Sequence, residues 1–76
     1  MIFDEIYDNN KDQVYNLALQ YVQNQHDAQE ITQDVFVAVY KSMSSFRKDS
    51  LMSTWIYRIT INKSLDYLKA RKRKKD

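Results

Sequence analysis

The sequence predicts a compact all-α domain of three main helices, with a short loop before the last helix and a basic carboxy-terminal tail. Three observations carry this. The chain has 76 residues, enough for one domain. It contains neither Gly nor Pro, the residues on which tight strand-connecting turns depend. Its apolar residues recur at intervals of three and four, the period of a helix face. With 43% hydrophobic residues and ten aromatics, it has material for a core and does not read as disordered.

The first helix is expected over about residues 2–23, with Phe3, Ile6, Tyr7, Val14, Leu17, Ala18, Tyr21 and Val22 on its inner side. The polar stretch Asp8-Asn9-Asn10-Lys11-Asp12 is a point where it can fray or break. Asn24-Gln25-His26 reads as a connection. Asp27 is the expected cap of the second helix, with Glu30 three residues on in a capping-box arrangement. Ile31, Val35, Phe36, Val39, Tyr40 and Met43 follow at core spacing, while Gln29, Glu30, Gln33, Asp34, Val37 and Lys41 point outward. Serines at 42, 44 and 45 compete for backbone hydrogen bonds and end it. Residues 44–53 form a loop with room for one helical turn. Ser53 or Thr54 caps the last helix, which runs to about Lys72. Its apolar residues, Trp55, Ile56, Tyr57, Ile59, Ile61, Leu65, Tyr67 and Leu68, make no single stripe. The helix is therefore buried on more than one side, or some aromatics serve a ligand.

The formal charge of +2 hides a division. Residues 1–34 hold seven acids against one base, and residues 35–76 hold eleven bases against three acids, so the halves carry −6 and +8. An acidic surface suits a basic protein partner, and a basic surface suits phosphate. The run from Lys69 to Lys75 alone holds six of the twelve bases. A basic run is commonly a solvated end. This one continues a helix already bearing Arg58 and Lys63, which favours contact with nucleic acid.

Enzyme chemistry finds no support. There is one His, no Cys and no Gly-rich phosphate loop. His26 reads as a solvated loop residue. Glu30 and Asp34 share a helix face at i, i+4, but no His or further acid joins them, so no metal site and no cofactor are expected. The absence of Cys fits a reducing cytoplasm. No apolar run approaches the roughly 18 residues of a membrane span, so insertion in a membrane is not expected. The acidic start lacks the layout of a signal peptide.

The aromatic-basic segment around the loop is the more specific signal. Phe46, Trp55 and Tyr57 bracket Arg47, Lys48 and Asp49. Aromatic faces stack on unpaired bases, each worth about 1–3 kcal/mol. The plainer reading makes Phe46 and Trp55 core anchors, and for Trp55 the core is favoured, because large aromatics dominate small cores.

Two segments then resemble one family. Asp27-Ala-Gln-Glu-Ile-Thr-Gln-Asp-Val-Phe is similar to the "DAEDLVQEVF" segment of bacterial extracytoplasmic-function (ECF) sigma factors. Ser45-Phe-Arg-Lys-Asp-Ser, Thr54-Trp-Ile-Tyr-Arg-Ile, Asn62 and Asp66-Tyr-Leu resemble its "SFR…S…TWLYRIA.N…D.L" segment. Order and spacing agree from about Val14 to Arg73. The resemblance implies a sigma region 2 domain across residues 1–76, which docks on the clamp helices of the polymerase β′ subunit and recognises and melts the promoter minus-ten element. Matching positions for the dock are Glu30, Gln33, Asp34, Val37 and Lys41 on the outward face of the second helix. Those for non-template single-stranded DNA are Phe46, Arg47, Lys48, Asp49, Ser50, Tyr57, Arg58 and Asn62. Phe46 is then pocket wall, Asn62 meets a base edge, and Arg58, Lys63, Arg71 and Arg73 meet the backbone.

An anti-sigma factor joins the implied partners, because many members of that family are held inactive by one. Full-length members continue into region 4. This chain stops where the linker to region 4 is expected, so a fragment of a longer protein, without region 4, is expected. The first helix is expected to start almost at once, so no long leading extension is expected. Two other readings compete: a stand-alone basic helical module binding duplex DNA or RNA, and an interaction domain whose tail only aids solubility. The first leaves the acidic face of the second helix without a task, and the second predicts no DNA binding even at low salt.

Overall fold

The structure is a computed structural model that describes residues 2–45 and 51–73. Three helices pack pairwise: α1 (Phe3–Val22), α2 (Gln25–Ser42) and α3 (Met52–Arg73), with a 3₁₀ turn (Met43–Ser45) closing α2. No strand occurs among the described residues.

Helix α1 is unbroken through its polar stretch. Asn10 Nδ2 donates to the Ile6 carbonyl at 2.8 Å, and Lys11 pairs with Asp8 at 3.8 Å, so both side chains serve the helix locally. Ile6, Val14, Ala18 and Val22 face the core. The helix stops at Gln23, which takes the left-handed conformation (φ 55°, ψ 36°) and donates its N–H to the Leu19 carbonyl at 2.8 Å. Glycine is the usual residue at such a terminus, and this chain has none, so a β-unbranched glutamine takes the place.

The link to α2 is therefore Gln23–Asn24, shorter than expected, and the cap is Asn24 rather than Asp27. Asn24 Oδ1 accepts the Asp27 N–H at 2.9 Å, and its carbonyl accepts the Ala28 N–H. Gln25 and His26 belong to the first helical turn. Asp27 is left free for a tertiary role. Helix α2 then buries Ala28, Ile31, Val35, Phe36 and Val39. Tyr40, expected in the core, is 67% exposed, and Met43 is half-buried.

Helix α3 starts at Met52, two or three residues earlier than a Ser53 or Thr54 cap implies. The Trp55 N–H already reaches the Leu51 carbonyl at 3.1 Å. Its buried line is Ile56, Thr60 and Ser64, one residue per turn. Thr60 satisfies its hydroxyl on the Ile56 carbonyl at 2.8 Å, so a polar residue is tolerated in the interior. Ser64 is buried as well, and its hydroxyl has no hydrogen-bond partner among the described residues. This explains the missing apolar stripe: the innermost positions are polar or small, and Trp55, Ile59, Tyr67 and Leu68 pack at the margins. Leu65, another of the helix's apolar residues, is 43% exposed.

A polar clasp ties the start of α2 to the end of α3. Tyr67 Oη donates to Asp27 Oδ1 at 2.5 Å and lies 3.4 Å from Glu30 Oε1, while Arg71 Nη1 donates to Asp27 Oδ2 at 3.0 Å. The hydrogen bond to Asp27, then burial and the charges of Asp27 and Glu30, push the Tyr67 pKa up from 10.0 to about 12. Only the neutral phenol donates, so the stabilisation is complete below pH 10 and is lost as pH rises through about 12. Tyr67→Phe is expected to lower unfolding free energy by ~1 kcal/mol at neutral pH. That difference should shrink between pH 10 and 12 in paired urea titrations. Identical stability of the two proteins at neutral pH would contradict the clasp.

Candidate functional site

Helix geometry sorts the exposed residues into two surfaces. On α2, a residue pointing away from Ile31, Val35 and Val39 recurs every three or four positions. Glu30, Gln33, Asp34, Val37 and Lys41 occupy those places, and all five are exposed. They form one ridge with two carboxylates near its start, a lysine at its end and Val37, 52% exposed, between them. Glu30 is also the residue through which the ridge touches the clasp: Tyr67 Oη and His26 Nε2 lie 3.4 and 3.9 Å from its Oε1. His26 is solvated as expected, though on the first turn of α2 rather than in a loop.

The second surface lies on α3. Arg58, Asn62, Lys69 and Arg73 are exposed and fall at i, i+4, i+11 and i+15, one outward stripe about 22 Å long. Leu65 interrupts it as an exposed apolar residue. An amide between cations and beside an apolar side chain has the donors and acceptors a base edge requires, with charge for phosphates on either side. The last-turn bases Arg71, Lys72 and Arg73 also complement the α3 dipole, which explains part of their presence without any ligand.

The remaining expected DNA-facing residues do not all join this stripe. Tyr57 is 54% exposed but sits on the α1 side of α3, in a groove of about 590 Å³ with Gln13, Leu17, Ser53 and Thr54. Lys63 is half-buried. Arg71 is committed to Asp27. Trp55 is half-buried against the core, in line with its reading as an anchor. Phe46, Arg47, Lys48, Asp49 and Ser50 lie outside the described residues.

Sequence reasoning missed the clasp and the aromatic patch beside the ridge. Asp27 contacts residues 40 and 44 positions away, for which local spacing gives no signal. Tyr40 sits between inward Phe36 and outward Val37 on the helical wheel, and spacing alone does not decide its side. Among the described residues, no group of three or more His, Cys, Asp or Glu is placed to hold a metal ion, and no helix is long and apolar enough to cross a membrane.

Comparison with known proteins adds the following. The family model described as Sigma-70 region 2 matches residues 6–74. The ECF RNA polymerase sigma factor SigW of Bacillus subtilis is 38% identical over 70 residues, which cover 92% of this chain and 37% of that protein. The ECF RNA polymerase sigma factor SigE of Mycolicibacterium smegmatis is 37% identical over 71 residues, covering 93% and 27%. The RNA polymerase sigma-H factor of Pseudomonas aeruginosa is 36% identical over 61 residues, covering 80% and 32%. The chain thus spans about a third of the length of these relatives.

Proposed function

The chain belongs to the Sigma-70 region 2 family, and from that premise we propose that it docks on the β′ clamp helices of core RNA polymerase and holds the non-template strand of the promoter minus-ten element. The observation that carries this reading is the separation of two surfaces on one small fold: an acidic, exposed α2 ridge and a basic, amide-bearing α3 stripe.

Each surface suits its task physically. An acid-rich ridge is steered to a basic coiled coil by charge, which raises the association rate, and central contacts such as Val37 fix the register. On α3, Arg58, Lys69 and Arg73 take phosphates, and Asn62 takes a base edge. Arg47, Lys48, Asp49 and Ser50, with Phe46 as wall, complete the base pocket by their match to the family pattern. Tyr57 adds an exposed ring on the neighbouring side of α3. Arg71 already shares its charge with Asp27 through Nη1, so it ranks below the others.

Magnitudes decide how much this domain does alone. Extruding a base from a duplex costs a few kcal/mol. Stacking returns about 1–3 kcal/mol per base. The two nearly cancel, so the isolated domain captures bases already unpaired, and net melting requires the anchoring supplied by polymerase. Single-stranded promoter DNA should bind better than the same duplex.

Two results test the DNA half. Asn62→Ala is expected to weaken binding of single-stranded minus-ten DNA about 10-fold, the loss of one base-edge contact, without changing affinity for core polymerase. Unchanged binding by fluorescence anisotropy would remove Asn62 from the site. If about four phosphates are neutralised, affinity should also fall on the order of 100-fold between roughly 50 and 200 mM salt. A flat salt response would contradict the basic stripe. A stand-alone nucleic-acid module predicts the same salt response, so binding to polymerase is what separates the two readings.

A further inference from the structure

Helix α3 (Met52–Arg73) carries six bases and a single acid, Asp66. That acid is exposed and stands beside the basic stripe, one turn beyond Asn62 and two turns before Arg73. Around the helix it falls within about 40° of both. A surface acid on a helix is ordinarily accounted for by a base three or four residues away. Lys63 and Lys69 are each three residues from Asp66, yet no hydrogen bond or ion pair to its carboxylate occurs among the described residues. Phosphate binding does not account for it either, because a carboxylate repels the strand that the neighbouring cations attract. Asp66 thus presents an open carboxylate on the surface assigned to bases.

We propose that Asp66 is a specificity-determining residue of the DNA surface and selects an unpaired guanine next to the base met by Asn62. The inference rests on the single-strand reading above and deepens it, from a surface that holds bases to one that distinguishes them. The two side chains differ in what they accept as partners. The Asn62 amide both donates and accepts, so it suits several base edges, whereas a carboxylate only accepts. Among unpaired bases read on the Watson–Crick edge, guanine alone offers two adjacent donors, N1–H and the 2-amino group, which match the two carboxylate oxygens. Adenine and cytosine set one amino group beside a ring nitrogen lone pair, which a carboxylate repels. Thymine sets one N–H between two carbonyl oxygens, with the same result. Spacing ties the choice to melted DNA. Asn62 and Asp66 are about 6 Å apart along α3. Stacked bases in a duplex strand follow one another at roughly 3.4 Å. The pair therefore meets successive bases only where the strand is drawn out and unstacked.

The test is fluorescence anisotropy with short oligothymidylates carrying one central guanine, inosine, adenine or cytosine, bound by the parent chain and by Asp66→Ala. The parent is expected to bind the guanine strand about 10-fold tighter than the adenine, cytosine or all-thymine strands. Inosine keeps the N1–H but lacks the 2-amino group, so its strand should fall between. Asp66→Ala should bind all the strands alike, and the all-thymine strand no more weakly than the parent does, because a negative charge has left the phosphate track. The ratio between strands is the decisive readout: a merely structural role would lower binding to every strand and leave the ratio unchanged. A guanine preference that survives in Asp66→Ala, or a parent that binds all the strands equally, overturns the role of Asp66 and leaves the DNA surface standing. Failure of the parent to bind any strand overturns the single-strand reading and Asp66 with it.

Discussion

Exchanging Asp34 for arginine is expected to lower affinity for core polymerase by at least about 100-fold while leaving helix content and melting temperature unchanged. Asp34 is exposed near the acidic end of the ridge, one turn before Val37. Arginine there reverses the charge proposed to meet a basic coiled coil, and like-charge juxtaposition across an interface costs several kcal/mol. Nothing in the fold depends on the carboxylate: no hydrogen bond or ion pair to it occurs among the described residues. Surface substitutions away from such features stay within about 0.5 kcal/mol. Unaltered polymerase affinity in a folded Asp34→Arg protein would remove the ridge from the interface.

Ile56→Ala is the opposite experiment, and its expected effect is on folding. Ile56 is 1% exposed and is the one aliphatic side chain of α3 in the fully buried core. Truncating such a residue costs about 2–5 kcal/mol. A domain of 76 residues sits at the low end of the usual 5–15 kcal/mol, so much of its stability is lost. The melting temperature should fall by about 10 °C or more. Promoter-strand binding should fall with it, because α3 carries Arg58 and Asn62 on the opposite side from Ile56. A melting curve like the parent's would contradict the packing of α3.

These two variants also show which parts of the molecule were legible from sequence. The inner sides of α1 and α2 were: Ile6, Val14, Ala18, Val22, Ile31, Val35 and Val39 are apolar, regularly spaced and buried. So was the outward set from Glu30 to Lys41. Helix α3 was legible as a helix but not as a face. Its innermost line includes Thr60 and Ser64, whose polarity disguises them, and apolar Leu65 is exposed. Capping misled for a similar reason. Asn24 and Asp27 are both good caps, and what decides between them is the pull of Tyr67 and Arg71 on Asp27 across the fold. In the candidate site, the ridge rests on helical spacing and was predictable. The separation of Tyr57 from Asn62, and the ring cluster around Tyr40, depend on how the helices pack against one another, which no local pattern records.

The most direct test of the account is binding of this chain to an isolated β′ clamp-helix fragment at moderate salt, with folding confirmed by circular dichroism. The account predicts saturable binding that Asp34→Arg removes. A folded, helical domain that binds single-stranded DNA but not the fragment would contradict it and leave a stand-alone nucleic-acid-binding module.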